Sequence, residues 1–144
     1  MNAVQYLWQV KALDTKLKQR EDQLKNIKQA ALEAGATGFD AISVQSSAEG
    51  GRVERLVLRY LELEREIQEE RVNLEEKKNE IIGQIHKLTN ERYVVVLYTY
   101  FVENKSYDTI SQELGYNYDY VKKLRIKATK IFAKVIAAGT EDAE

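Results

Sequence analysis

Apolar residues recur at alternating three- and four-residue steps along two long stretches of this chain, and a repeat of that period leaves few folds open. Between residues 2 and 33 it runs through Ala3, Tyr6, Val10, Leu13, Leu17, Leu24, Ile27 and Ala31, interrupted only by Arg20. Between residues 52 and 88 it returns as Val53, Leu56, Tyr60, Leu63, Ile67, Leu74, Ile81 and Leu88, with Glu70, Lys77 and Gln84 where an apolar side chain is expected. Side chains so spaced line one stripe of an α-helix, the seam of a coiled coil. Lys11, Lys16, Lys18, Glu21, Asp22, Lys25 and Lys28 fall between the first set of seam residues and form its solvated face. The second helix would run about 55 Å at 1.5 Å per residue, too long to serve a compact core alone.

Residues 34–51 interrupt the repeat. Gly35, Gly38, Gly50 and Gly51 flank a stretch rich in Ser and Ala and poor in charge, which reads as a flexible connector. Phe39, Ile42 and Val44 within it leave open a locally packed or binding loop. Two amphipathic helices joined by such a connector hide their seams against each other as an antiparallel hairpin, or against a second chain, and the sequence favours neither. The long helices therefore read as a passive spacer, as a dimerisation device, or as a handle for host RNA polymerase or another protein. Self-association as a homodimer is the expectation, because two copies multiply weak half-site binding.

The remaining third has a different pattern. Residues 91–102 contain Val94, Val95, Val96, Tyr98, Tyr100 and Phe101, a composition that by propensity favours a strand. No other segment offers a partner strand, and an unpaired strand leaves its backbone unsatisfied, so a helix is expected, capped by Thr89 or Asn90. After a turn at residues 103–105, Ser106 is placed to cap a helix over 107–114, with Ile110 and Leu114 inward. Gly115 supplies the left-handed conformation that ends it, and Asn117 caps the next. Helix, three-residue turn with Gly, helix is the helix-turn-helix spacing.

The last helix, starting near Tyr118 and presenting residues 118–134 to the major groove of DNA, places Val121, Leu124, Ala128, Ile131 and Val135 on one inward face. Around it stand Lys122, Lys123, Arg125, Lys127, Lys130 and Lys134 against the single carboxylate of Asp119, a net charge of +5 in a chain whose total is −1. Lys and Arg displace counterions from phosphates, and the exposed start of a helix fits a major groove. Tyr118, Asp119, Lys122 and Lys123 are the expected groove-facing set, with Arg125 on the same helix and Lys127 and Lys130 reaching phosphates. Ser106 and Tyr107 stand where a helix start contacts the DNA backbone. Tyr116, Tyr118 and Tyr120 read equally as DNA contacts or as surface aromatic packing, and Trp8 as a packing residue.

Residues 105–115, Lys-Ser-Tyr-Asp-Thr-Ile-Ser-Gln-Glu-Leu-Gly, followed by 118–131, resemble the region 4 helix-turn-helix of bacterial sigma factors. The resemblance implies that the last helix reads promoter-like duplex DNA. The longer order, a Tyr6-Leu7 helix, a Gly/Ser connector, a second long helix and then this module, is similar to a family of small phage proteins of Gram-positive hosts. That family is related to the ArpU and RinA types of late-gene regulator, which implies control of phage or prophage genes. Nothing resembles the promoter-opening region 2 of sigma factors.

The expectation is thus an all-α chain: a long helical, coiled-coil hairpin followed by a trihelical helix-turn-helix module. Its parts are residues 1–33, 34–51, 52–89, 90–138 and an acidic tail 139–144. Catalysis is not expected, since the chain has no Cys, a single histidine (His86) and no Gly-rich phosphate loop. By the same count no metal or other cofactor is expected. A small-terminase-like DNA-recognition subunit and a purely protein-binding helical adaptor are the competing functions. Residues 1–9 lack a secretory signal and no stretch approaches 18 apolar residues, so a cytoplasmic protein without membrane contact is expected.

Overall fold

The computed structural model describes residues 1–37 and 51–138. The connector residues Gly38, Phe39, Ile42, Val44 and Gly50 and the tail 139–144 lie outside them. All regular structure among the described residues is helical: α1 (Ala3–Leu7), α2 (Gln9–Glu33), α3 (Gly51–Ile85), α4 (Glu91–Leu97) with a π-helical turn (Tyr98–Val102), α5 (Tyr107–Leu114) and α6 (Tyr118–Ala138). No helix among the described residues is long and apolar enough to cross a membrane. The chain divides into two compact units, Met1–Leu13 with Leu74–Glu144, and Asp14–Asn73.

In the unit Asp14–Asn73 the two long helices pair through charges on either side of a narrow apolar seam. Arg20 Nη1 lies 3.2 Å from Glu66 Oε2, its Nε 3.5 Å from Glu70 Oε1, Lys16 Nζ 3.5 Å from Glu70 Oε1, and Arg71 Nη2 2.9 Å from Glu21 Oε2. Residue 16 faces 70 while 20 faces 66, so α2 and α3 run antiparallel here. Leu17, Ala31, Val57, Leu63 and Ile67 are the buried side chains of the seam. Val57 takes the place expected for Leu56 and Tyr60, which are only half-buried. Arg20, the interruption in the first repeat, is explained by its two glutamate partners. Glu70 is a poorer fit: its Oε2 is buried without a hydrogen-bond partner.

The other unit gathers both ends of the described chain. Asn2 and Gln5 form a reciprocal capping box, with Gln5 N donating to Asn2 Oδ1 at 2.8 Å and Asn2 N to Gln5 Oε1 at 3.0 Å. The expected single helix from residue 2 is divided at Trp8, whose ψ of −7° departs from the helical value. Leu7 and Val10 on either side of the bend are buried in one core with Ile81, Ile85 and Leu88 and with residues of α4, α5 and α6. Tyr6 stacks on Phe132 with ring centroids 6.2 Å apart, and Trp8 lies 5.4 Å from Tyr100 and 4.9 Å from Phe101. Residues 1–13 therefore pack with the C-terminal helices, which the continuous seam did not foretell.

Tyr6 also donates its hydroxyl to Glu80 Oε2 at 2.6 Å. Partial burial, with this bond and the Glu80 charge adding to it, pushes the phenol well above its ordinary range. The same bond holds the Glu80 carboxyl below its usual range.

Residues 91–102 are helical, as expected against their strand propensity. Tyr93, Val96, Leu97 and Phe101 are buried at steps of three, one and four, a helical face that alternation along a strand would split between two sides. Asn90 provides the cap, its Oδ1 accepting from Arg92 N at 3.0 Å. At the far end the helix widens: Glu103 N donates to Tyr98 O at 3.0 Å, five residues back. The Thr99 hydroxyl bonds Val95 O at 2.8 Å, a back-bond that competes with the helical ladder. The wider turn leaves both Phe101 and Val102 buried. The second long helix ends at Ile85 rather than at the expected Leu88, although Leu88 stays in the core.

Candidate nucleic-acid interface

Short-range chemistry sets α5 and α6 where the sequence expects them. Ser106 Oγ accepts from Thr109 N at 3.2 Å and so caps α5. Gly115, at φ 71° and ψ 26°, ends that helix with its N–H on Ser111 O. Tyr116 N also donates to Ser111 O, at 3.1 Å, and the Ser111 hydroxyl donates to Tyr116 O. Asn117 Oδ1 accepts from Asp119 N at 2.8 Å and starts α6. Ahead of α5, the left-handed Asn104 (φ 57°) shapes the turn, and Lys105 Nζ grips Glu113 at 2.8 Å and Glu103 at 3.6 Å.

The inward face of α6 consists of Val121, Leu124, Ala128, Thr129, Phe132 and Val135. Ile131, expected there, is only half-buried, and Phe132 is the residue fully enclosed. A three-residue step from Ala128 reaches Ile131 and a four-residue step reaches Phe132; both keep the helical period. The Tyr6 ring from α1 stacks on Phe132, and Ile131 packs partly buried against the same core. Thr129 is buried at little cost, since its hydroxyl donates to Arg125 O at 2.7 Å.

Turning 100° per residue, Lys123, Lys127, Lys130 and Lys134 follow steps of four, three and four and form one stripe on the side opposite Val121 and Ala128. The stripe is about 16 Å long at the helical rise. Lys122 projects to one side of it. All five lysines are exposed, and among the described residues none makes a hydrogen bond or an ion pair. Tyr118 and Asp119 are exposed in the first turn, although the Tyr118 ring sets its edge against Tyr107 at 5.6 Å. Ser106 is exposed but commits its oxygen to the cap.

Arg125 and Tyr107 are placed differently from the lysines. Tyr107 is half-buried and stacks on Tyr100, centroids 4.9 Å apart and planes 9° from parallel. Arg125 is half-buried too; its Nε donates to the Tyr107 hydroxyl at 3.0 Å and its guanidinium lies 5.1 Å over Tyr100 and 5.8 Å over Phe101. It joins α6 to α5 and α4 by cation–π and hydrogen-bond contacts. Burial in this cluster pushes the Tyr100 phenol up, with the neighbouring Tyr107 adding to it.

Of the three tyrosines left open by the sequence, Tyr116 and Tyr120 meet edge to face at 5.2 Å, and the Tyr120 hydroxyl accepts from Arg92 Nη1 at 3.0 Å. Arg92 is the cation on this side that sequence reasoning overlooked. It lies 28 residues from Tyr120, and no local spacing links the two. An open groove of about 250 Å³ between α1 and α6, lined by Met1, Asn2, Ala3, Tyr6, Ala133, Ile136 and Ala137, holds no ionised side chain.

No protein-family model, curated protein or solved structure matches the chain. The likeness to sigma region 4 and to small phage regulators rests on the residues quoted for it alone.

Proposed function

We propose that this chain is a double-stranded DNA-binding protein, not an enzyme, and that α5, the turn at Gly115 and α6 act as a helix-turn-helix with α6 as the reading helix. The observation that carries this reading is the row of exposed lysines that have no carboxylate partner among the described residues, standing on a helix whose opposite face is locked into the core. Unneutralised ammonium groups at helical spacing attract phosphates and release their counterions. The rigid inner face keeps them in one orientation.

In this reading Tyr118, Asp119, Lys122 and Lys123 meet base edges in the major groove, and Lys127 and Lys130 hold phosphates. The capped start of α5 at Ser106 approaches the backbone. Arg125 and Tyr107 act one step back, fixing α6 against α5. The chain pairs its long seams as a coiled-coil hairpin, a view supported by the ion pairs between α2 and α3. Two such chains associate as a homodimer that presents two reading helices. The role as a regulator of phage or prophage transcription comes from the sequence resemblance.

Lys122→Ala and Lys123→Ala test the assignment. Each is expected to weaken binding to duplex DNA roughly fivefold or more at low salt, as judged by fluorescence anisotropy, with an unaltered circular dichroism spectrum. Unchanged affinity in both variants would remove α6 as the reading helix.

A further inference from the structure

Arg92 has an environment unlike that of four of the six arginines in the long helices. Arg20, Arg59, Arg65 and Arg71 are each held by glutamates. Arg92 is held instead by a neutral phenol, with Nη1 donating to the Tyr120 hydroxyl at 3.0 Å, and among the described residues it makes no ion pair. A phenol orients a guanidinium without neutralising it. Arginine has five N–H donors in a planar fork, so this bond leaves most of them available. The Tyr120 ring is itself braced by the edge of Tyr116, which is half-buried at the α5–α6 turn. The charge is therefore oriented rather than waving on a free side chain.

Its position adds to this. Tyr120 belongs to the first turn of α6, beside Tyr118 and Asp119 and three residues before Lys123, where the lysine stripe begins. Arg92 lies in the first turn of α4 and brings a cation from a second helix to that same end. We propose that Arg92, aimed by the Tyr120 hydroxyl, is a phosphate-binding residue that extends the α6 lysine stripe onto α4, so that the DNA backbone is gripped from two helices. The inference rests on the duplex-DNA reading above. A guanidinium takes a phosphate through two parallel hydrogen bonds where an ammonium acts as a point charge, which makes arginine the apt residue at a fixed position. Tyr120 is the positioning residue.

The test is the salt dependence of binding to a fixed DNA duplex for the full chain and for Arg92→Gln, Arg92→Lys, Tyr120→Phe, the Arg92→Gln/Tyr120→Phe double variant and Lys127→Ala. Folding of each is checked by Trp8 fluorescence. Arg92→Gln is expected to reduce the slope of log K against log salt by about 0.9, the loss of one phosphate contact. Arg92→Lys keeps the slope and weakens binding by roughly threefold or more, through loss of the forked contact. Tyr120→Phe also keeps the slope and weakens binding by roughly threefold, and this loss vanishes when Arg92 is already Gln. A folded Arg92→Gln protein with the parental slope, alongside a Lys127→Ala protein with a reduced one, overturns the role of Arg92 and leaves the DNA reading in place. No salt-sensitive affinity in the parent chain overturns both. A Tyr120→Phe loss that persists in the Arg92→Gln background overturns the coupling between the two residues.

Discussion

The two units of this chain are built on different physics. Between Asp14 and Asn73, two helices meet along a seam of aliphatic side chains flanked by partly exposed arginine–glutamate pairs. Exposed pairs of this kind contribute little stability each but discriminate between registers, because a slip brings like charges together. In the unit formed by Met1–Leu13 and Leu74–Glu144, rings and aliphatic side chains from six helices enclose one another, and the charges of the described residues are confined to its surface or, for Arg125, laid over aromatic faces. One unit has its register written in charge. The other has its geometry written in shape.

The sharpest test of that contrast is truncation of the aromatic core. Phe132→Ala is expected to destabilise its unit by about 3–5 kcal/mol, the usual cost of removing a fully buried ring. Trp8, the single tryptophan, lies in the same core and reports the transition in urea. A loss below about 1 kcal/mol would mean the core closes over the gap and that shape does not dominate there.

In the other unit a replacement is expected to act in the opposite direction. Glu70 sits in the seam with one carboxylate oxygen buried and unpartnered. Glu70→Leu should stabilise that unit by about 1 kcal/mol, since a buried, incompletely satisfied charge is often improved upon by an apolar side chain. Thermal unfolding followed by far-UV circular dichroism would show it, and a lower midpoint would mean the Lys16 and Arg20 contacts outweigh the desolvation of Glu70. Sedimentation of the same variant would show whether the charged seam also controls the number of chains that associate.

The smallest effect expected is at the charged rim of the aromatic unit. The folded-state pKa of Glu80 is depressed, so its bond to Tyr6 contributes above the ordinary glutamate range and is lost as pH falls through the depressed value. The folded-state pKa of Tyr6 is raised, so the same bond is fully present below the ordinary tyrosine value and declines above it. Tyr6→Phe should therefore lower stability by about 1 kcal/mol or less near neutrality and flatten both limbs of the pH profile. A stability-pH curve parallel to that of the parent would show that the bond is not formed in solution.

Local signals were strong wherever a single residue performs a backbone task. Ser106, Gly115 and Asn117 were recognisable because caps and left-handed turns demand particular side chains, and each stands in that role. The helicity of residues 91–102 followed from the want of a partner strand. Less of the candidate interface was legible. Arg125 and the exposed lysines carry the same charge in sequence, yet the rings of Tyr100, Phe101 and Tyr107 engage one and leave the others in water. Arg92 had no sequence signal, because its partner is 28 residues away.

By itself the sequence determined the seam period, the turn before α6 and the cationic excess of that helix, since these depend on neighbours within about seven residues, and it determined the helical class because no segment offered a partner strand. Tertiary structure alone decided that residues 1–13 pack into the C-terminal core, that Phe132 is enclosed more fully than Ile131, and which cations remain open among the described residues. Those outcomes depend on which apolar surfaces exclude water together, and a helical period is the same whichever surface it meets.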